Sequence, residues 1–234
     1  MIHFKRFLPL GSLLLAIAAC TSNEIGNSKD VAPETVYQQY NIRYNESDGK
    51  VELRAQFRFG GLNGTTLVLN SPSSVQLDGQ SIKVDSSKFG GAFYELSQAS
   101  SQFVGNHRFV FTDINGKKYE NSFAFLPVKL ATVPNSASKQ QDLTLPFDGS
   151  TLQPGDRIEV SSSATDSTFS ISHEVVGNQY AVVIPAAQLA RQKGEKLMLD
   201  IHVERNIRLQ QLTKEGGEME YRQQLKTVKL RLGQ

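Results

Sequence analysis

The amino-acid sequence predicts an all-β protein made of two small antiparallel β-sandwiches in tandem. Apolar residues recur at every second position through most of the chain, as in strands with one buried and one solvated face. Turn-forming residues interrupt this pattern at short intervals. The aromatic content also changes near the middle, because residues 34–130 hold 9 of the 13 Phe and 5 of the 7 Tyr. This change indicates two separate cores.

The first predicted sandwich covers residues 34–130. Apolar and polar residues alternate from Val51 to Phe59 and from Tyr40 to Tyr44, and the turn 45–49 joins them into a hairpin. Asp78-Gly79 and Asn115-Gly116 are turn signals between further short strands. This arrangement resembles the architecture of immunoglobulin-like domains. The resemblance concerns architecture only, because a chain without Trp cannot carry the Cys–Trp–Cys signature of those domains.

The second predicted sandwich covers residues 138–234, after a polar linker at 131–137 that contains Pro134. One short helix is predicted near 185–193, since Pro185 starts a run of helix formers that ends at Gly194. Residues 197–232 read as one long hairpin around a loop at 213–217. The apolar phase shifts near Lys226-Thr227, which predicts a β-bulge there.

The N-terminal residues 1–19 have the pattern of a signal peptide: a basic start, a short apolar run and small residues at the end. Ile17-Ala18-Ala19-Cys20 resembles the lipobox of bacterial lipoproteins. That resemblance implies cleavage before Cys20 and acylation of this residue, which anchors the protein in a membrane. Residues 20–33 are rich in Ser, Asn, Gly and Asp and predict a flexible tether.

The same resemblance implies a place in the cell envelope. Thr21 follows Cys20, where inner-membrane lipoproteins of Gram-negative bacteria often carry Asp, so the outer membrane is favoured over the inner membrane. Lys5 and Arg6 fall within the predicted signal, which leaves a mature chain with equal numbers of basic and acidic residues. A neutral balance predicts no nucleic-acid partner.

The sequence predicts no catalytic residue, no metal site and no cofactor. His107, His173 and His202 lie in three different predicted strands without metal-ligand spacing. Asp113-Ile-Asn115-Gly116 superficially resembles a calcium loop, although a hairpin turn explains the same residues and the calcium alternative stays open. Ser136-Ala-Ser-Lys139 matches the S-x-x-K nucleophile motif, but it falls in the predicted linker. A carboxylate pair of the glycosidase type also stays open.

Three classes of function therefore remain. The first is a non-catalytic lipoprotein that contacts another envelope protein or component. The second is a carbohydrate-binding lipoprotein, in which Tyr37, Tyr180 and Tyr221 would replace the Trp that sugar platforms prefer. The third is an envelope hydrolase with a dispersed acidic site.

A partner-binding surface, if present, is expected on the long C-terminal hairpin. The segments 205–212 and 219–225 mix apolar side chains with Arg and Gln, and exposed strand edges favour strand addition. The alternative is that the hairpin closes the sandwich with its apolar residues in the core. The basic residues of this hairpin alternate with acidic ones, which favours a solvated strand face over a site for acidic lipid or cell-wall polymer.

The lipobox gives the first testable prediction. Mass spectrometry of the mature protein should show an acylated N-terminus at Cys20, because the only Cys of the chain lies where lipidation requires it. The Cys20→Ala protein should lose its anchor. If this variant still fractionates wholly with membranes, the anchoring prediction is wrong.

Overall fold

A computed structural model describes residues 24–87, 89–162 and 168–233. The all-β prediction is confirmed. The first half contains ten strands, β1 (Ile25–Asn27), β2 (Val36–Asn45), β3 (Lys50–Phe59), β4 (Thr65–Val68), β5 (Ser74–Leu77), β6 (Gln80–Ser81), β7 (Val84–Ser87), β8 (Gly91–Ala99), β9 (Gly105–Thr112) and β10 (Lys118–Phe125). Short 3-10 turns cover Ser28–Asp30, Pro33–Thr35 and Ser100–Gln102.

The second half continues with β11 (Ser136–Ser138), β12 (Leu143–Pro146), β13 (Arg157–Ser162), β14 (Ser170–Glu174), β15 (Ala181–Ile184), α1 (Ala186–Leu189), β16 (Lys196–Ile207), β17 (Gly217–Gln224) and β18 (Val228–Gly233). The helix expected near 185–193 is therefore a single turn. Its only fully buried apolar anchor is Leu189, and so short a helix needs packing to persist. No helix within the described ranges is long and apolar enough to cross a bilayer.

Most strands belong to one large sheet that runs through both halves of the chain. Its main path has the order β1-β4-β3-β2-β17-β16-β13-β14, and β8, β7, β18 and β11 extend it on side branches. Two small sheets complete the layers, β10-β9-β5-β6 in the first half and β12-β15 in the second. The molecule is thus two sandwiches that share one sheet.

The two predicted cores are present, and the first is aromatic whereas the second is mostly aliphatic. In the first core Tyr40 stacks on Phe109 with 4.7 Å between ring centroids, and Phe57 stacks on Phe111 at 4.4 Å. These pairs join the large sheet to the first small sheet. In the second core Ile158 and Leu199 of the large sheet are fully buried with Leu145 of β12.

The long hairpin contributes to both cores, which the predicted division at residues 131–137 does not anticipate. The register of β17 with β2 is parallel and pairs Gly217–Gln224 with Gln38–Asn45. Met219 and Tyr221 therefore pack in the first core, as does Leu209 from the loop before β17. Leu225, directly after β17, packs in the second core. The first sandwich is completed by residues that lie about 80 to 90 positions beyond its predicted boundary.

The β-bulge expected near Lys226-Thr227 is present. On one side of it Ile207 pairs with Met219, and the register continues to His202 opposite Gln224. On the other side Leu199 pairs with Val228, which shifts the pairing by one residue. The Thr227 hydroxyl donates to Asp200 Oδ1 at 2.7 Å, so the extra residue is held by a side chain of the opposite strand.

The prediction of a flexible tether is wrong for the described part of residues 20–33. Ile25–Asn27 forms β1, which pairs in parallel with Thr66–Val68 of β4. The amide of Thr66 donates to the carbonyl of Glu24 at 3.1 Å, and the amide of Asn70 donates to Ser28 Oγ at 2.8 Å. Without β1, the backbone amides of β4 would form an open sheet edge. These polar residues form a strand because they cover that edge.

The shared sheet predicts that the first half does not fold alone. A fragment of residues 24–130 lacks Leu209, Met219 and Tyr221 from its core and exposes the edge of β2, so it should show no cooperative unfolding. Circular dichroism during urea denaturation checks this, with residues 24–234 as the control. A fragment that unfolds cooperatively at the midpoint of the control would contradict the dependence on β17.

Candidate functional site

The two cores that the small sheets complete lie on the same face of the large sheet, and most of its other face is open to solvent. Register places one row of charged side chains across that face, on five neighbouring strands: Arg157, Glu204, Arg222, Arg43 and Glu52. The adjacent row consists of Glu159, His202, Gln224, Asn45 and Lys50. The rows cross from the second sandwich to the first without interruption, because β17 joins the two.

These rows border an open cleft of about 560 Å³, called here the junction cleft. Its lining is polar and charged: Arg43, Tyr44, Asn45, Asp48, Lys50, Glu52, Glu159, Ser161, His202, Val203, Glu204, Arg222, Gln223 and Gln224. Aromatic surface is nearly absent from it, since its one aromatic residue, Tyr44, is buried in the first core. The cleft therefore favours contacts through charge and hydrogen bonds.

Some charges of the junction cleft are paired and others are free. Arg222 Nη2 lies 2.9 Å from Glu220 Oε1, and Arg222 Nε lies 3.5 Å from Glu204 Oε1. Within the part of the chain that the structure describes, Arg43, Lys50 and Glu52 form no ion pair. The end of the cleft on β2 and β3 thus presents charges of both signs to solvent.

Buried polar contacts on the inner face hold the floor of the cleft in place. Gln223 is 1% exposed; its Nε2 donates to the carbonyl of Val128 at 2.8 Å, and its Oε1 accepts the amide of Val128 at 2.7 Å. The Tyr221 hydroxyl donates to the same Oε1 at 2.6 Å. One glutamine thereby ties the chain between the two halves to the shared sheet.

Arg205, which lies opposite Tyr221 in the sheet, forms a buried ion pair with Asp156. Arg205 Nε and Nη2 donate to the two carboxylate oxygens of Asp156, both at 2.7 Å, and Nη2 also donates to the carbonyl of Thr151 at 3.0 Å. The Arg205 guanidinium lies 5.5 Å from the centroid of the Tyr221 ring. Burial raises the pKa of Tyr221 above its ordinary value, so its hydroxyl stays a hydrogen-bond donor.

Two other tyrosines of this sheet also have pKa values above the ordinary value. Burial raises the pKa of Tyr40, which lies in the first core. Burial also raises the pKa of Tyr37 on the outer face, and the nearby carboxylate of Glu218 adds to the increase. A raised pKa keeps these phenols neutral, so their hydroxyls remain able to donate hydrogen bonds.

The free strand edge expected on the long hairpin is absent, and the alternative, that the hairpin closes the sandwich, agrees with the structure. β17 lies between β16 and β2 in the middle of the sheet, so it has no free edge. Arg205 and Tyr221 are buried, and Arg208 is exposed. The hairpin therefore closes the structure with most of its apolar residues inside, whereas Leu212 in its loop is exposed and Arg222 lines the junction cleft.

Most basic residues of the hairpin are paired or lie apart, although Arg231 on β18 lies opposite Lys196 of β16. Arg205 is neutralised by Asp156, and Arg222 contacts two glutamates. Lys214 precedes β17 at one end of that strand, whereas Lys226 follows it at the other. Paired and separated cations favour the solvated strand face over a site for acidic polymers.

The three predicted strand histidines lie apart. His107 stacks on Phe103 with 3.6 Å between ring centroids, and its Nδ1 lies 2.7 Å from Asp78 Oδ2. His173 contacts the carbonyl of Gln179, and His202 is exposed in the junction cleft. Among the residues that the structure describes, no group of three or more His, Cys, Asp or Glu has the arrangement of a metal site.

Asp113 and the S-x-x-K motif make contacts that stabilise a turn and a strand pair. Asp113 is buried, and its Oδ1 accepts the amides of Asn115 and Lys117, both at 2.9 Å, which closes the β9–β10 turn. Ser136 lies on the extended strand β11, which pairs with β18. The motif is therefore not on one face of a helix, as its chemistry requires. Cys20 lies outside the described residues.

The junction cleft was missed in the sequence analysis. The alternation of polar residues on β2, β3, β16 and β17 is visible in the sequence, and it indicates which side chains face solvent. It does not indicate which strands are neighbours. The pairing of β17 with β2 joins residues about 180 positions apart, and no local signal encodes such a contact.

Comparisons with known proteins leave the family open. No known family profile matches the chain, and no curated protein matches it. Solved structures with 10% sequence identity include DIP-gamma IG1+IG2 (TM-score 0.22, 85% of this chain and 95% of that one) and murine CEACAM1b (TM-score 0.25, 84% and 99%). Another is SGBP-B of a mixed-linkage glucan utilization locus of Bacteroides ovatus, in complex with a heptasaccharide (10% identity, TM-score 0.23, 79% and 53%). At these TM-scores the likeness assigns neither a ligand nor a partner to this chain.

The buried ion pair of Arg205 with Asp156 gives a prediction about the stability of the sheet that forms the cleft. Asp156→Asn should lower the free energy of unfolding by about 3–5 kcal/mol, because it leaves the Arg205 charge buried and unpaired. The double variant Asp156→Leu with Arg205→Met should lose less than the single variant. Urea denaturation measures the free energy of unfolding of both variants.

Arg157→Gln, at an exposed neighbour of Asp156, is the control and should change stability by less than about 0.5 kcal/mol. A loss below about 1 kcal/mol for Asp156→Asn would contradict a structural role for the pair.

Proposed function

We propose that the chain is a non-catalytic lipoprotein of the cell envelope that binds a protein partner through the junction cleft. Its anchor is Cys20, acylated after removal of residues 1–19. The outer membrane is the proposed location. The single observation that carries the choice of site is the pattern of charged rows that crosses both sandwiches and leaves Arg43, Lys50 and Glu52 without an ion pair to any other described residue.

The chemistry of the cleft supports a protein over a glycan. Unpaired charges of both signs steer and orient a partner of complementary charge, and the surfaces of proteins offer such patterns. Sugar recognition relies on exposed aromatic rings, which this lining does not provide. Of the three tyrosines considered for a sugar platform, Tyr221 is in the core, and Tyr37 and Tyr180 are half-buried outside the cleft.

The hydrogen bonds of the described residues support a binding role over hydrolysis by a hydroxyl nucleophile. Such a nucleophile needs a base within reach of its hydroxyl. None of the described hydroxyl-bearing side chains donates to a histidine ring; the rings of His107 and His173 contact a carboxylate and backbone carbonyls. The glutamates of the cleft face charged and polar neighbours on the open sheet, a setting that suits recognition.

Charge reversal tests the proposed site. The lipidated full chain, cross-linked in solubilised envelopes, should capture a defined set of proteins. Arg43→Glu with Lys50→Glu should reduce that capture by about tenfold, since like charges in an interface cost more than the 1.4 kcal/mol of a tenfold change.

The matched control carries Lys229→Glu with Arg231→Glu on β18, which makes the same change of net charge on exposed residues outside the cleft. It should capture the same proteins as the unaltered chain. Equal capture by both double variants would contradict the junction cleft as the binding site. Glycan-array binding that only the cleft variant loses would favour the carbohydrate alternative instead.

A further inference from the structure

Large apolar side chains are exposed together at one end of the first sandwich. Phe89 is 82% exposed, an unusual degree for an aromatic residue of a folded protein. The others are between 42% and 46% exposed. The set, called here the apolar rim, consists of Ile25, Phe59, Leu62, Phe89 and Leu212.

The strand register puts three rim residues side by side. β3 ends at Phe59, which pairs with Val36 on one side and Thr65 on the other. Leu62 lies in the loop between β3 and β4, directly beyond Phe59. Ile25 pairs with Thr66 at the start of β4. These three side chains therefore lie where β3 and β4 reach the end of the sheet.

Hydrogen bonds bring the other two rim residues to the same end. The turn that contains Phe89 is held by Gln56 Nε2, which donates to the carbonyl of Gly90 at 2.6 Å, and by Thr66 Oγ1, which accepts the amide of Ala92 at 2.9 Å. The loop that contains Leu212 is held by Thr213, whose hydroxyl donates to the carbonyl of Val36 at 2.6 Å.

The chain enters the folded body at this end. Glu24 precedes β1, and its carbonyl accepts both the amide of Thr66 at 3.1 Å and the Thr66 hydroxyl at 3.0 Å. Only four peptide units separate Cys20 from Glu24, so these residues can be at most about 14 Å apart. A tether that continued to residue 33 would span about 45 Å, and the order of β1 removes most of that reach.

We propose that the apolar rim rests in the headgroup region of the membrane that holds Cys20. The inference builds on the anchoring in the proposed function. A connection of at most about 14 Å is about twice the thickness of the interfacial layer of a bilayer, which takes up about 5–8 Å on each side of the hydrocarbon core. The rim is therefore kept close to the lipid, and exposed aromatic rings are the side chains that enter such an interface. The rim consists of apolar side chains, so the contact is apolar and forms on zwitterionic lipid.

This membrane contact sets the orientation of the protein relative to the bilayer. β3 runs from Lys50, beside the junction cleft, to Phe59 in the rim, a distance of about 30 Å. The cleft and the second sandwich therefore lie on the side away from the bilayer. The rim would set the distance of the proposed partner site from the bilayer and its orientation. An acyl chain on a long flexible tether would fix neither of them.

The chain contains no Trp, so a single substitution introduces a unique fluorophore. The lipidated full chain with Phe89→Trp is placed in phosphatidylcholine vesicles whose acyl chains carry bromine, a contact quencher. We expect a blue-shifted emission that the bromines reduce about twofold or more, since an interfacial side chain reaches about 5–10 Å into the boundary of headgroups and acyl chains.

The matched control is Val176→Trp, at a 61% exposed position in the loop between β14 and β15 of the second sandwich. It should emit as a solvated Trp without quenching. Melting temperatures check that both variants fold, and mass spectrometry checks the acylation of Cys20. An unquenched Phe89→Trp chain that carries its lipid and floats with the vesicles would overturn the seating and leave the anchor intact, as would equal quenching of both variants. A chain without lipid at Cys20 would overturn the anchor and the seating together.

Discussion

The parallel pairing of β17 with β2 is the contact on which the rest of the structure depends. Gly217–Gln224 lies against Gln38–Asn45 and joins two hairpins that would otherwise form separate sheets. Parallel pairing requires a long connection, and here nearly the whole chain serves as that connection. The entropy cost of closing such a loop grows only slowly with its length, so the apolar surface buried by Met219 and Tyr221 can offset it.

The polar side chains buried at the same place make the pairing specific. Gln223 satisfies both backbone groups of Val128, and Arg205 satisfies both oxygens of Asp156. A shifted register would leave these groups buried without partners, which costs more than the contacts themselves contribute. An apolar seam would tolerate a shift more easily. The network therefore accounts for one alignment of the two sandwiches, and with it for the continuity of the charged rows.

The fused sheet also separates two surfaces of opposite character. The junction cleft lies where the sandwiches meet and is charged, whereas the apolar rim lies at the far end of the first sandwich. β3 carries residues of both, Lys50 and Glu52 at its start and Phe59 at its end. Because one strand is rigid over this length, the proposed membrane contact and the proposed partner site are held at a fixed distance.

The sequence by itself determined the local features of this protein. Alternating side chains defined the hairpins of β2 with β3 and of β9 with β10, and the change of apolar phase located the bulge at Lys226-Thr227, because a strand records its buried face in a period of two residues. The aromatic imbalance likewise indicated two cores. Only the tertiary structure decided that Tyr221 belongs to the first core, that Ile25–Asn27 forms an edge strand, and that Arg43 and Arg222 are neighbours. Each of these depends on which strands pair across long stretches of chain, and strand pairing is set by the total burial and hydrogen bonding of the assembled sheet, which no short window of residues contains.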